Sequence, residues 1–166
     1  TPTELTSSLG TITISGATGT TPSPSPTPSP TPSPTPAPTP SPSYTTFTVT
    51  VVGGNPANHP YYNFGSANKF AIDGSTATAD VTLSLTKGQT YRFDQSDSSN
   101  GGHPLRLSTT PNGTHSGGSE YTTGVTTNGT PGSSGAYTQI EVALSAPTLY
   151  YYCTNHSGMG WTANTV

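Results

Sequence analysis

Near the C-terminal end of the chain runs Tyr150-Tyr151-Tyr152-Cys153-Thr154-Asn155-His156-Ser157-Gly158-Met159-Gly160. Leu149 to Cys153 reads as a strand, and a thiol, an imidazole and a thioether follow within seven residues. Soft sulfur ligands combined with imidazole suit copper, which must be tolerable as both Cu(I) and Cu(II). A turn at Ser157-Gly158 would let Cys153, His156 and Met159 face one ion. The fourth ligand must come from elsewhere. His103 is the best candidate, because it opens a strand whose Leu105 and Leu107 share its apolar, core-directed face. Cys153 is the only cysteine, so no internal disulfide framework exists to account for it.

Outward from this segment the pattern is all β. Phe47, Val49 and Val51 alternate with Thr46, Thr48 and Thr50; Val81, Leu83 and Leu85 alternate with Thr82 and Ser84; Tyr91 and Phe93 flank Arg92. Ile140, Val142 and Leu144 alternate with Glu141 and Ala143. Each stretch has the period of a half-buried strand. Clusters of Gly, Asn, Asp and Pro separate them, the signature of a Greek-key β-sandwich. No helical period is evident. The polar stretch from Ser108 to Tyr137 is long for a structureless loop, so a hairpin around Tyr121 to Val125 or a contact role is expected there. Tyr151 should point inward with Leu149 and Cys153.

A histidine near the start of one strand, followed much later by Cys-x-x-His-x-x-Met after another, resembles the cupredoxins, the blue copper proteins. Val81-Thr-Leu-Ser-Leu85, Lys87-Gly88 and Thr90-Tyr-Arg-Phe93 are similar to the strand, turn and strand that lead to the first histidine of that family. The Cys-to-Met spacing is that of its shortest, amicyanin-like ligand loops. The resemblance covers roughly residues 44 to 160. It implies that His103 and His156 bind as imidazole ligands, Cys153 as thiolate and Met159 as weak axial ligand, and that the function is outer-sphere electron transfer with a redox protein partner. Two positions depart from the family pattern. Pro104 stands where many members carry a hydrogen-bonding side chain, often Asn, that ties the two ligand loops. Ser157 replaces a proline common after the second histidine; its amide is expected to donate to the Cys153 sulfur and raise the potential.

The chain has 166 residues, 28% hydrophobic and 7% charged, with 19 Gly and 18 Pro. Eleven of the prolines fall between Pro22 and Pro42, so three parts are expected. Residues 1–20 hold an isolated strand, with Ile12 and Ile14 alternating with threonine. Residues 21–43 form a Pro/Ser/Thr polyproline II linker, a candidate for O-glycosylation, that could reach about 70 Å. Residues 44–166 form the cupredoxin-like domain. With four Lys plus Arg against seven Asp plus Glu, no basic face is available for nucleic acid or anionic membrane surfaces. No apolar run is long enough for a spanning helix. Sparse charge, abundant hydroxyls and Asn-x-Ser/Thr sequons at Asn112, Asn128 and Asn155 suit an extracellular or cell-surface protein, in mature form if it is exported, since the first ten residues lack signal-peptide order.

Two function classes compete. One is a copper-binding electron carrier. The other is a structural subunit of an extracellular filament or fibre, a homopolymer in which residues 1–20 add a strand to a neighbour and copper is incidental or stabilising. No enzyme is expected, because the chain lacks a G-x-S-x-G elbow, an HExxH motif, a phosphate loop and an obvious carboxylate pair. His59 and His115 read as solvated bystanders in polar loops. Trp161, Tyr150 and Tyr152 read either as packing or as a surface patch for electron entry or a partner.

Overall fold

The computed structural model describes residues 43–166 and, before them, only Gly10, Thr13, Ser15, Gly16, Gly19, Ser23 and Ser25. The expected N-terminal strand and the body of the proline-rich linker therefore lie outside the described residues. Over the described part the protein is an all-β sandwich of two mixed sheets. Its strands are β1 (Thr45–Val52), β2 (Lys69–Ile72), β3 (Leu83–Leu85), β4 (Thr90–Asp94), β5 (Leu105–Ser108), β6 (Val125–Asn128), β7 (Tyr137–Glu141), β8 (Leu149–Cys153) and β9 (Thr162–Thr165). One sheet has the order β2-β1-β4-β7-β6, the other β3-β9-β8-β5.

Alternation dictates the packing. In β4, Tyr91 and Phe93 are buried between less buried neighbours, and in β3 Leu83 and Leu85 are buried around an exposed Ser84. Leu149, Tyr151 and Cys153 send the inward face of β8 into the core shared with Phe93, Leu105 and Leu107. The Tyr151 ring lies near Phe93 and Phe70, with centroids 6.1 and 6.5 Å away, and its hydroxyl donates to the Val81 carbonyl at 2.8 Å. The phenol thus enters the core without an orphaned polar atom.

Several elements differ from the expectation. Thr78–Val81 is a single helical turn, α1, so Val81 reaches the core from a helix end rather than a strand. The 140–144 alternation breaks off: β7 ends at Glu141, a turn closes from Ala146 N–H to the Ala143 carbonyl, and Leu144 is 80% exposed. The hairpin in the long polar stretch is β6 with β7, registered Val125 to Ile140 and Asn128 to Tyr137, slightly later than Tyr121 to Val125. The remainder of that stretch covers the outer face of β8. Gly113 sits so close to the Tyr152 ring that a Cβ there would collide with it.

Candidate metal centre

Three donor atoms meet at one end of the sandwich. His103, Cys153 and His156 present ligand atoms that all lie within 4.8 Å of one another. His103 precedes β5 and Cys153 ends β8, and the two strands pair with Leu105 opposite Cys153. His156 stands three residues on, in the turn between β8 and β9. Both imidazoles direct Nδ1 at the Cys153 Sγ, at 3.8 Å from His103 and 3.7 Å from His156, and the ring centroids are 4.6 Å apart. A metal bound at about 2.3 Å to sulfur and about 2.0–2.1 Å to nitrogen would place S and N roughly 3.8 Å apart in a trigonal arrangement and roughly 3.5 Å apart in a tetrahedral one. The observed sulfur-to-nitrogen separations of 3.8 and 3.7 Å lie close to both values, as one metal ion shared by a thiol and two imidazoles requires. The residues fit the group.

Met159, the expected axial ligand, is fully buried and belongs to the same core cluster as Cys153. Cys153 is fully buried and His103 nearly so, whereas His156 is exposed. One imidazole therefore reaches the surface while the sulfur stays dry. Burial pushes the Cys153 thiol up, opposed by the amides of Asn155 and His156, which donate towards its sulfur. Burial, followed by the neighbouring His156, pulls His103 down. Both shifts disfavour charge in the metal-free site, and a bound cation would reverse the preference at the thiol.

These contacts correct the sequence expectation on Ser157 and show how the two loops are tied at Pro104. No hydrogen bond runs from Ser157 N–H to the Cys153 sulfur among the described residues; the backbones that pull the thiol down are those of Asn155 and His156, and the Ser157 carbonyl accepts from Ser66 N–H at 2.8 Å. The Pro104 side chain makes no hydrogen bond, yet the ligand loops are tied: Thr154 N–H donates to the Pro104 carbonyl at 3.0 Å, and Asn155 Nδ2 donates to the Gly102 carbonyl at 2.9 Å. Backbone acceptors do what a hydrogen-bonding side chain at position 104 would otherwise do.

The bystanders and the aromatic patch also change. His115 donates through Nε2 to the Cys153 carbonyl at 2.9 Å, so it braces the ligand strand. His59 is 2% exposed; its Nδ1 accepts from Tyr61 N–H at 3.0 Å, and its Nε2 finds no hydrogen-bond partner. Burial, then the charge on Lys69, lowers its pKa to about 4, with the nearby Met159 backbone acting the other way. Tyr152 is buried and so cannot belong to a surface patch. Trp161 packs edge-on against Tyr61 at 4.9 Å, and Tyr61 lies 5.1 Å from a half-exposed Phe64. Asn112 is also corrected: it is 6% exposed, and its Oδ1 accepts from Gly158 N–H at 2.7 Å, which removes it as a glycan acceptor in the folded protein.

Gln95 and Lys69 went unread in the sequence, and Asn112 was read only as a sequon. Gln95 holds the approach to His103, donating through Nε2 to the His103 carbonyl at 2.9 Å and accepting from Leu105 N–H at 3.0 Å. Asn112 caps the ligand loop from the far side, and its signal was present in the Asn112-Gly113 turn dipeptide, since Asn tolerates its observed φ of 61° better than most residues. A lysine in a short apolar run, such as Lys69, carries no signal of its own.

A scan against protein families and searches of curated proteins and of solved structures found no match.

Proposed function

We propose that the chain is an extracellular, cupredoxin-like module that binds one copper ion through His103, Cys153 and His156, with Met159 as weak axial ligand, and exchanges electrons with a redox protein partner. The observation that carries this reading is the convergence of one thiol and two imidazole nitrogens, all within 4.8 Å of one another, in the soft-plus-borderline ligand set that suits copper. Copper supplies one-electron chemistry when bound. The chain's own part is to hold the ligands so that little rearranges as the charge changes, to keep the sulfur from water, and to offer the His156 edge at the surface. In this reading the protein is not an enzyme, because four protein ligands leave no strong open position for substrate.

The test is addition of Cu(II) to the purified domain. Intense visible absorption from thiolate-to-copper charge transfer, lost in Cys153→Ser, is the expected result. No colour and no change in melting temperature would sink the reading.

A second reading, a structural subunit of an extracellular filament, is favoured by one specific feature of β1. Strand β2 pairs with it only from Val49 to Val52. Asp73 satisfies the amide and carbonyl of Thr48, and Thr46, two residues earlier, directs its amide and carbonyl to the same edge, where no strand pairs with it among the described residues. An added strand, such as residues 1–20 of a neighbour after the 21–43 linker, would pair there. Deletion of residues 1–20 should then leave a folded monomer and abolish polymerisation; a monomeric intact chain under all conditions would count against assembly.

A further inference from the structure

The buried group that the copper reading leaves unused is Lys69. It opens β2, is fully buried, and donates through Nζ to three carbonyls: Phe64 at 2.7 Å, Ser66 at 2.6 Å and Gly158 at 2.7 Å. An ammonium has three N–H donors, and all three are spent at the short distances of charge-assisted bonds. No carboxylate balances it: among the described residues the one ion pair is Arg106 with Glu120, at 3.4 Å. An uncompensated buried charge is costly, and an apolar side chain of similar length would pack there more cheaply. What the charge does is therefore sought in its contacts.

The neighbouring contacts show where that charge acts. Three consecutive carbonyls of the ligand loop, at Ser157, Gly158 and Met159, accept from Ser66 N–H, Lys69 Nζ and Phe70 N–H respectively. The approach is close on both sides, since a Cβ on Gly65 would strike the Ser157 carbonyl and one on Gly158 would strike the Phe64 carbonyl. The segment between His156 and Met159 is thus zipped to the start of β2, with the ammonium at the middle of the zip. Low-dielectric surroundings extend the reach of that charge.

Resting on the copper reading, we propose that Lys69 is a positioning residue of the metal centre: its ammonium fixes the loop that carries His156 and Met159, and its fixed positive charge favours Cu(I), the less charged state, over Cu(II).

The test compares wild type, Lys69→Met and Lys69→Arg by the midpoint potential of the copper-loaded protein and by amide hydrogen exchange at Ser157 to Gly160 in the metal-free protein. Lys69→Met should lower the ratio of Cu(I) to Cu(II) affinity about tenfold, or about 59 mV for one electron, and speed exchange in the loop. Lys69→Arg, which keeps the charge, should hold the ratio within about twofold of wild type. A blue Lys69→Met protein with the wild-type potential overturns the proposal while leaving the copper reading intact. A colourless wild type overturns the copper reading, and the charge role with it, and exchange in the metal-free proteins then decides the clamp alone. Should Lys69→Met fail to fold, the intact chain answers: slowly exchanging Lys69 ammonium protons whose ¹⁵N shift differs between Cu(I)- and Zn(II)-loaded protein support the role, and a rapidly exchanging ammonium with one shift in both overturns it.

Discussion

Asn112 accepts the Gly158 amide hydrogen at 2.7 Å inside the protein, which joins the cover over β8 to the turn that carries the proposed ligands. Gly158 has a φ of 68° and Asn112 one of 61°, so both ends of the bond sit in a region most residues avoid. Asn112→Gly keeps the backbone accessible and removes only the acceptor. Leaving a buried N–H without a partner costs about 1–3 kcal/mol, so the melting temperature should fall and metal affinity should weaken. Asn112→Ala adds the left-handed strain of about 1–2 kcal/mol and should be worse. Equal stability of Asn112→Gly and wild type by thermal unfolding would show the bond to be dispensable. From a glycosylating host, peptide mapping should find Asn112 unmodified, whatever the occupancy of the exposed Asn128 and Asn155.

Metal affinity should depend on pH through Cys153. Burial raises the thiol pKa above its ordinary value near 9, against the pull of the Asn155 and His156 amides, so below that pH the thiol must lose a proton to ligate. Burial, with His156 second, lowers His103, so its imidazole is already neutral at pH 7 and adds no further proton there. Apparent affinity should therefore rise by about tenfold per pH unit between pH 7 and 8.5. Co(II) titrations followed by sulfur-to-metal charge transfer measure this slope. A flat profile would mean that the thiol is not a ligand.

What the sequence made legible depended on how locally each feature is encoded. β4 was readable because Tyr91 and Phe93 alternate with polar neighbours and are buried accordingly. β2 was not, because all four of its residues are buried, so no period of two exists and a lysine argues against a core strand. β9, Thr-Ala-Asn-Thr, was missed for the opposite reason: only Ala163 is buried, and the strand is defined by backbone pairing with β8 and β3. At the site, Cys153 and His156 were legible from spacing and His103 from its strand. Lys69, Gln95, Asn112 and His115 act through carbonyls and amides brought near by the fold, and carbonyls have no sequence signature.

His59 should make the metal-free protein sensitive to acid. Its folded pKa, lowered to about 4 chiefly by burial and then by Lys69, lies below the value near 6.5 of an unfolded histidine. The unfolded chain therefore binds more protons in that window, and stability rises with pH across it. The contribution is fully present above pH 6.5 and is lost as pH falls through 4; 2.5 units correspond to about 3 kcal/mol at most. His103, lowered in the same direction, adds to the slope. Thermal melts from pH 7 to 4 should show a steep loss in wild type and a shallower one in His59→Gln, which starts from lower stability because Tyr61 N–H loses its acceptor. Parallel curves would mean that His59 does not titrate in this range.

Two glycines that flank the ligands should respond very differently to alanine. A Cβ on Gly160 would run into the Tyr151 carbonyl, and the backbone cannot retreat, because Tyr151 N–H donates to the Trp161 carbonyl at 3.0 Å on the same side of β8. Gly102, next to His103, meets nothing within 4 Å but has a φ of 77°. Gly102→Ala therefore bears only conformational strain, about 1–2 kcal/mol, and should keep its fold and its metal. Gly160→Ala must shift backbone in the core beside Met159, so it should lose several times that stability or fail to fold. Chemical denaturation of both variants ranks them directly. Equal losses would mean that the turn after Met159 can move away from β8, and a ligand loop free to do that could not hold Met159 in place as an axial ligand.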